Sequence, residues 1–533
     1  MVQSKRRKTM TATFLAYGVA SRAMEASQAS INIVGNNISN VNTEGYTRQR
    51  VDIVSVTTSG KTEKFATPVI STGIGAKAVR TTQLRDPFID ARYRTQNAEA
   101  NRYETMVKGL SNLEDVFDEA STEALQGELS SFINDLQSLS QTPTSSDIAQ
   151  VARSAAEKVT QTINMYAIQL EEVRIEQTEN LEVVVNSEFN TYVKNIASLN
   201  KQIQNEEIYG NTPNELYDQR NLLIDKLSGV ANIEVSMAPA DVITENLSIP
   251  HYSIKIKNQS GGEDIMLVDN GRYSEMSLDA SDPLNVQLKI VDTTGVERSD
   301  VNSNVLDGSL RGYINLINGK GSFANTSVGE SDSRGIYYYA RKMDIFANQF
   351  ATELNVINSN ITGATTELPL FTDASGTSTA NITAKNLQVS TAWLKNPSYI
   401  NTTKNPVIDP PPTADYTATP ASSDNILRLI EKMSDKIDFK DSLGNTIITG
   451  TFNEYMTSAV SEVATDVELH SNFFKTATNV FQTISDARDS VAGVSLNEEG
   501  VNLSAYQKVY NAAMRYFNVL DENLDNIINK MGV

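Results

Sequence analysis

Apolar and small side chains recur at alternating spacings of three and four from Tyr17 through Ala20, Met24, Ser27, Ile31, Val34, Ile38 and Val41. That is the rhythm of a coiled-coil seam, and it predicts a helix over the run that begins near Phe14. The same rhythm returns at the far end of the chain in Leu503, Tyr506, Tyr510, Ala513, Phe517, Leu520, Leu524, Ile527 and Met531. Both runs give rods of about 40 Å at the helical rise. Neither shows a second apolar face, so each helix needs the other, or a neighbouring molecule, to hold its shape. An antiparallel helix pair closing an ordinary globular protein reads the same way on this pattern.

Between the seams the pattern changes several times. Arg50 to Gln83 alternates Val and Thr, with Gly73 and Gly75 between runs, as a hairpin or extended connector does. Asp86-Pro87 is a helix start, and the spacing predicts a helix from Phe88 to about Gln141 with Tyr103, Met106, Leu110, Leu113, Phe117, Leu129, Phe132, Leu136 and Leu139 inside. Thr142 to Asp147 breaks it. A second long helix carries Ile163, Tyr166, Leu170, Val173, Leu181, Val184, Tyr192, Ile196, Leu199 and Ile203 on its seam and ends at Gly210 to Pro213, and Glu215 to Ser228 opens a shorter one. Beyond Val230 the period becomes two, as in Tyr252 to Lys257 and Val286 to Ile290, with turn formers at Asp269-Asn270-Gly271 and Asp292 to Gly295. Helical sequence resumes at Gly308 to Tyr313 and again from Ile336 to Ile357. Ile361 to Ser423 is rich in Thr, Ser, Ala and Pro, including Pro410-Pro411-Pro412, and reads as a smaller excursion with much loop. A last helical region begins near Asp424, breaks between Asp441 and Gly450, and runs from Phe452 to the end with an interruption at Gly493.

The predicted fold is mainly α: long terminal helices pairing as a coiled coil, a long-helix bundle, an inserted β-rich domain and a loop-rich excursion. The corresponding division is 1–50 with 490–533 as a terminal helical domain; 51–231, 306–360 and 424–489 as a helical bundle with a connector hairpin at 51–85; and 232–305 with 361–423 as a β-rich outer domain.

Length and charge narrow the function. The 533 residues are enough for about three or four domains. A balance of 45 basic against 65 acidic residues, formally −20, disfavours nucleic acid and anionic membrane as partners. The absence of cysteine removes disulfides, thiol nucleophiles and thiolate metal sites, and suits an exported protein. No apolar run approaches the ~18 residues of a membrane span, so no membrane insertion is expected. Lys5-Arg6-Arg7-Lys8 followed by Phe14-Leu15-Ala16 imitates a secretory signal, yet that region carries three Thr and runs straight into the seam, so cleavage would remove the first helical turns.

Candidate chemistry is sparse. The two histidines, His251 and His470, fall in different predicted elements and supply no triad or metal cluster. Gly319-Lys320-Gly321-Ser322 suggests a phosphate loop, but the glycine required five positions before the Gly-Lys is Ile314 and no strand leads in, so a plain loop is expected. Glu171-Glu172 and Glu498-Glu499 read as solvated charge on exposed helices. No set of catalytic roles assembles; no cofactor and no enzymatic activity are expected.

The end of the first seam is more specific. Asn36 to Gln49 reads Asn-Asn-Ile-Ser-Asn-Val-Asn-Thr-Glu-Gly-Tyr-Thr-Arg-Gln. Asn40, Asn42 and Thr43 compete with helix hydrogen bonding, and Gly45 can take the positive φ that ends a helix, so the chain turns sharply here. Asn37 to Tyr46 resembles the N-terminal signature of bacterial flagellar rod and hook axial proteins, extended by Arg48 and Gln49, with Glu44 where that family often has proline. Gly73 to Arg94 resembles the segment that joins the terminal helices to the body in hook-type proteins. Val491 to Glu499, with Asn502-Leu503, Tyr506-Gln507 and Tyr510, resembles the C-terminal signature of the same proteins. Glu215 to Ser228, with Asp218-Gln219-Arg220, and Gly308 to Tyr313 resemble the hook-associated protein 1 branch in particular.

The resemblance implies a structural subunit that joins hook to filament, self-assembling into a ring or short helical zone around a central channel. It further implies contacts with the hook protein and a second hook–filament junction protein, a cytoplasmic export chaperone on the C-terminal helix, and export through the flagellar type III pathway without signal cleavage to an extracellular position. The assembly interface it implies comprises Met24, Ile31, Val34, Ile38, Asn40, Asn42, Gly45, Tyr46, Leu503, Tyr506, Tyr510, Phe517, Leu520, Leu524 and Ile527. Another axial subunit of hook or rod, and a coiled-coil cell-surface adhesin, are the alternatives. An adhesin calls for an anchor, and none is legible.

Overall fold

The computed structural model describes the chain outside residues 1, 57–72, 120–121, 239–241, 245–246, 249–250, 259–262, 283–284, 302–305, 326–329, 363–366, 409–412, 442–443 and 531–533. Pro410-Pro411-Pro412, Met531 and the side chain of Ile527 therefore lie outside the described residues. Helix α1 (Val2–Ser39) runs through the basic lead and the first seam as far as Ile38, and Val41 falls in the turn that follows. An antiparallel hairpin of β1 (Gln49–Ser55) and β2 (Ala76–Gln83) follows. The stretch that the spacing predicts as helical from Phe88 to Gln141 is covered by α2 (Pro87–Glu119) and α3 (Thr122–Gln141), with residues 120–121 between them outside the described residues. Ser145 caps α4 (Ser146–Val183), its hydroxyl accepting from the Ile148 N–H, which makes Thr142 to Asp147 a break rather than a kink.

Helix α4 passes directly into a π-helical turn, Val184–Phe189, and on into α5 (Asn190–Ile208). The residue inserted by that turn re-aims the apolar face. Ile163, Tyr166 and Leu170 lie in one core; Leu181, Val184, Val185, Phe189 and Val193 lie in another.

After α6 (Asn214–Val230) come β3 (Ile233–Ala238), the short pair β4 (Val242–Thr244) and β5 (Leu247–Ser248), β6 (His251–Ile256), β7 (Ile265–Asp269), β8 (Arg272–Tyr273), β9 (Glu275–Asp279), β10 (Gln287–Val291) and β11 (Glu297–Val301). They form antiparallel sheets in the orders β3-β6-β7-β8 and β11-β10-β9. Helix α7 (Gly308–Asn318) returns the chain to the helices. At Gly308, with φ of +73°, a Cβ would sit 2.5 Å from the Val230 carbonyl oxygen, so only glycine lets the insertion enter and leave at one point.

The remainder comprises α8 (Ile336–Ser359), the two-residue pair β12 (Phe371–Thr372) and β13 (Gln388–Val389), α9 (Thr391–Lys395), α10 (Asp424–Ser434), a hairpin of β14 (Ile437–Lys440) and β15 (Thr446–Gly450), α11 (Phe452–Ala492) and α12 (Leu496–Asp525). The β14–β15 hairpin spans the break before Phe452, and Thr451 with Glu454 closes a capping box at the start of α11.

The described apolar residues form two cores. One joins the later half of α2 with α3, the first part of α4, α8, α10 and the start of α11. The other joins the π turn, α5, α6 and α7 with the sheets. The two excursions do not share a core, so the single outer domain of 232–305 with 361–423 needs correction. Leu370, Phe371, Leu387, Val389 and Trp393 enter the first core, where the Phe371 ring lies 5.0 Å from Phe350 and 5.9 Å from Trp393, while Asn164 of α4 donates to the carbonyls of Ala384 and Leu387. With few apolar residues of its own, that stretch is ordered by the helices it covers.

A cluster of buried charge fastens α8 to α11. Lys342, 2 % exposed, pairs with Glu462 at 2.9 Å, Arg334 pairs with Asp466 at 2.6 Å, and the Tyr339 hydroxyl donates to Asp466 at 2.5 Å. Tyr339→Phe leaves the buried carboxylate one donor short and is expected to destabilise the body by about 1–3 kcal/mol, read as a drop in its melting temperature.

Candidate functional site

The terminal helices pack on each other within the chain. They run antiparallel: the Tyr17 ring meets Phe517 edge-on at 4.9 Å at one end, and Asn37 meets Glu499 at the other. Ala20, Ser27, Val34, Ala513 and Leu520 are buried on the seams, and Met24, Ile31, Ile38, Leu503, Tyr506, Tyr510, Phe517 and Leu524 are half-buried.

Each helix has more than the one face the spacing predicts. About a quarter turn round α1 from its seam, Val19, Arg22, Ala26, Ser30 and Asn37 face the hairpin. The Arg22 guanidinium donates to the Ile74 carbonyl at 2.8 Å and the Val19 backbone lies against Gly75. On α12, Val501, Val509, Tyr516 and Val519 form a second stripe, exposed to solvent. The small residues of α1 hide the first of these faces from a count of large apolar side chains.

Beneath the pair the sequence signatures converge. Asn40 ends α1, its amide donating to the Asn36 carbonyl at 3.0 Å; Asn42 is exposed; Gly45 takes φ of +78°, where a Cβ would press on Leu222 at 3.1 Å. That turn delivers Tyr46 to Gln49 beside the start of α12. Asn37, 1 % exposed, accepts from the Tyr46 hydroxyl at 2.8 Å and the Gln49 N–H at 3.0 Å, and donates to the Gln49 carbonyl at 3.0 Å and to Glu499 at 3.2 Å. Arg48 holds Glu499 at 2.8 Å and Glu498 at 2.7 Å, and its N–H donates to the Ala492 carbonyl. Glu499 is 1 % exposed, which corrects the reading of Glu498-Glu499 as a solvated pair. Only Glu498 faces water, because Glu499 occupies the side of α12 turned toward Asn37.

The body side is equally polar. Asp218 of α6 accepts from the Thr47 N–H at 3.2 Å and from Gln83 at 2.8 Å, and Asn214 donates to Gln49 at 3.1 Å. Arg85 grips Asp90 through two bonds of 3.0 and 3.1 Å. Arg488, near the end of α11, lies 4.3 Å over the Tyr93 ring and bridges Asp90 and Asp225, and Arg94 also pairs with Asp225 at 3.1 Å. A cleft of about 330 Å³ lies between these groups, lined by Tyr46, Arg85, Tyr93, Asp225, Lys226 and Arg488 among others. Among the described residues, none of α1, β1, β2 or α12 belongs to either apolar core, so hydrogen bonds and charge join the terminal pair to the body.

Burial opposes ionisation of Asp90, but the Arg85 hydrogen bonds and the charges of Arg85, Arg488 and Arg94 outweigh it and hold this carboxyl below its ordinary range. Burial pushes Asp218 up, offset in part by Thr47. Burial, with the charges of Asp218, Glu215 and Glu499, raises the Tyr46 hydroxyl, which stays a donor.

A depressed carboxyl contributes stability above its unfolded-state pKa and loses it as pH falls through the folded-state value; for a raised one such as Asp218 the stability is lost as pH rises. Asp218 is common to wild type and Asp90→Asn and cancels between them. Melting of the two proteins across the acid range is therefore expected to differ most at neutral pH and to converge on acidification.

Among the described residues no group of side chains could hold a metal ion, and no helix is long and apolar enough to cross a membrane. His251 pairs with Asp269 at 2.7 Å in the sheet, whereas His470 lies beside Tyr103 and Phe473 on α11. Lys320 of the Gly-Lys-Gly-Ser stretch pairs with Glu330. Sequence reasoning names Asn40, Asn42, Gly45 and Tyr46 at the turn; of these the structure brings Tyr46 into the polar joint. It misses Asn37 and Glu499 as the centre, and Asp90, Asp225 and Arg488 as its base, although all but Arg488 lie inside stretches that carry the family resemblance.

Comparison with known proteins bears on the same elements. Residues 110–368 match the model of the flagellar hook-associated protein FlgK helical domain, and residues 18–47 that of flagella basal body rod protein. Flagellar hook-associated protein 1 of Bacillus subtilis strain 168 is 29 % identical over 543 residues, covering 98 % of this chain and 99 % of its own length. Its namesakes in Salmonella typhimurium and Escherichia coli K12 are 24 % and 22 % identical, each covering 96 % of this chain and 98 % of its own length. The solved flagellar hook junction protein FlgK from Burkholderia pseudomallei shares the fold, with a TM-score of 0.56 at 14 % identity over 75 % of this chain and 100 % of that one.

Together these matches define a structural protein of the bacterial flagellum. Along nearly its whole length the chain is similar to flagellar hook-associated protein 1.

Proposed function

We propose that this chain is a subunit of the hook–filament junction, outside the cell, and that its work is packing rather than turnover. The observation that carries the reading is the convergence of both terminal signatures on one buried contact, Asn37–Glu499–Arg48, beneath an intrachain helix pair. Copies assemble in a ring or short helical zone, with the hook protein on one side and a second junction protein on the other, and the chain reaches that place through the flagellar export pathway with its N-terminal helix uncleaved. The seam residues Met24, Ile31, Val34, Ile38, Leu503, Tyr506, Tyr510, Phe517, Leu520, Leu524 and Ile527 serve assembly by making each terminal pair one rod. The exposed stripe of α12, Val501, Val509, Tyr516 and Val519, is the surface left for an export chaperone in the cytoplasm and for neighbouring subunits after export.

Deleting the gene tests this. Cells are expected to build hooks that carry no filament and to release filament subunits into the medium, with both defects reversed by the intact chain. Filaments retained on hooks of the deletion strain would overturn the reading.

A further inference from the structure

We propose that the outward face of the β1–β2 hairpin docks the acidic face of α4 in a neighbouring copy of this chain, a contact that rests on the reading above that copies co-assemble. Within one chain the hairpin packs on α1 and α6. Its described residues Arg50 to Val54, Val79 and Arg80 line a groove of about 600 Å³. Ile53, Val54 and Val79 are each roughly half exposed there. Arg50 and Arg80, 62 % and 65 % exposed, share one carboxylate, Asp52, at 3.5 and 3.1 Å, and Lys77 is exposed beside Val54. The patch is thus apolar and cationic on a chain whose formal charge is −20. Acidic copies set side by side repel unless such a patch meets the acid of the next.

Helix α4 presents the complement. Met165, Ile168, Ile175 and Val183 fall on one stripe at helical spacing, each exposed. Glu172, Glu176, Glu179 and Glu182 are exposed along the same stretch. Arg174, the cation within it, is buried and held by Glu171 at 2.7 Å. The exposed stripe of α12 fits the hairpin less well, because Lys508 and Arg515 stand beside its acids. Hairpin and α4 are different surfaces, so the contact runs head to tail, and a contact of that kind closes into a ring or continues as a helix.

The cysteine-free sequence makes the test direct. Val54→Cys with Ile168→Cys in one chain is treated, in isolated hook ends, with a short bis-maleimide. A ladder of linked copies is expected from the double variant and none from either single variant. In parallel, Arg50→Glu with Arg80→Glu is expected to cut the copies retained at hook ends at least about tenfold, which needs about 1.4 kcal/mol against the several that facing like charges cost. Adding Glu176→Lys with Glu179→Lys is expected to restore them. Double-cysteine chains located at hook ends by immunogold but never linked, or a charge exchange that restores nothing, would overturn the docking alone. Chains absent from hook ends in the wild type would overturn the reading of function with it.

Discussion

Glu499→Ala is expected to loosen the terminal helix pair from the body without unfolding either apolar core. The carboxylate is 1 % exposed and accepts from both Arg48 and Asn37. Its removal leaves an arginine and an amide partly buried with too few acceptors, and breaking a buried pair from one side costs about 3–5 kcal/mol. That loss falls on a junction with no apolar cluster to compensate, since the described members of both cores lie between Met106 and Val463. Amide exchange over residues 37–49 and elastase cutting between Ala492 and Leu496 are expected to speed up, while the main melting transition stays in place. Glu498→Ala is the control: that side chain is 63 % exposed, and an exposed pair is worth about 1 kcal/mol at most. Equal behaviour of the two variants would show that the buried contact does not hold the joint.

Leu520→Asp attacks the pair from its other end. Leu520 is buried on the α12 seam, and a carboxylate placed there either gives up several kcal/mol of hydration or takes up a proton. The lost apolar contact adds about 2–5 kcal/mol on the scale of large-to-small core changes. The pair is expected to separate near Phe517 and Leu524, and filaments are expected to be lost from hooks, because every copy in a closed assembly carries the same lesion. The body keeps its transition for the reason given above. Asn518→Asp adds the same charge at an exposed neighbouring position and is expected to stay within about 0.5 kcal/mol of wild type. Filament retention by the Leu520 variant equal to that of the control would remove the seam from any role in assembly.

Much of this architecture is legible in residue order. The seams from Tyr17 and from Leu503 announce themselves because heptad spacing is a property of single helices, and the switch to period two past Val230 does the same for the sheets. What spacing does not carry is pairing at a distance. Glu499 reads as surface charge because its burial depends on Asn37, 462 positions away in sequence. Arg488 and Asp225 form the base of the joint from helices whose local patterns give no sign that they meet. The loop-rich stretch after Ile361 reads as part of an outer domain because its few apolar residues have no period; their destination is set by the cleft between α4 and α8 that they fill. The π turn at Val184 is hidden for a related reason, since one inserted residue leaves the apolar count unchanged and alters only the direction in which it points.

Cryo-microscopy of native hook ends bearing this chain bears most directly on the central claim that it is a junction subunit whose terminal helices form one rod locked to the body. The expected density places the chain between hook and filament, with α1 and α12 of each copy paired to each other and Asn37, Arg48 and Glu499 in contact at the base. A junction zone without this chain, or one in which α1 and α12 of a copy part to pair with different neighbours, would contradict it.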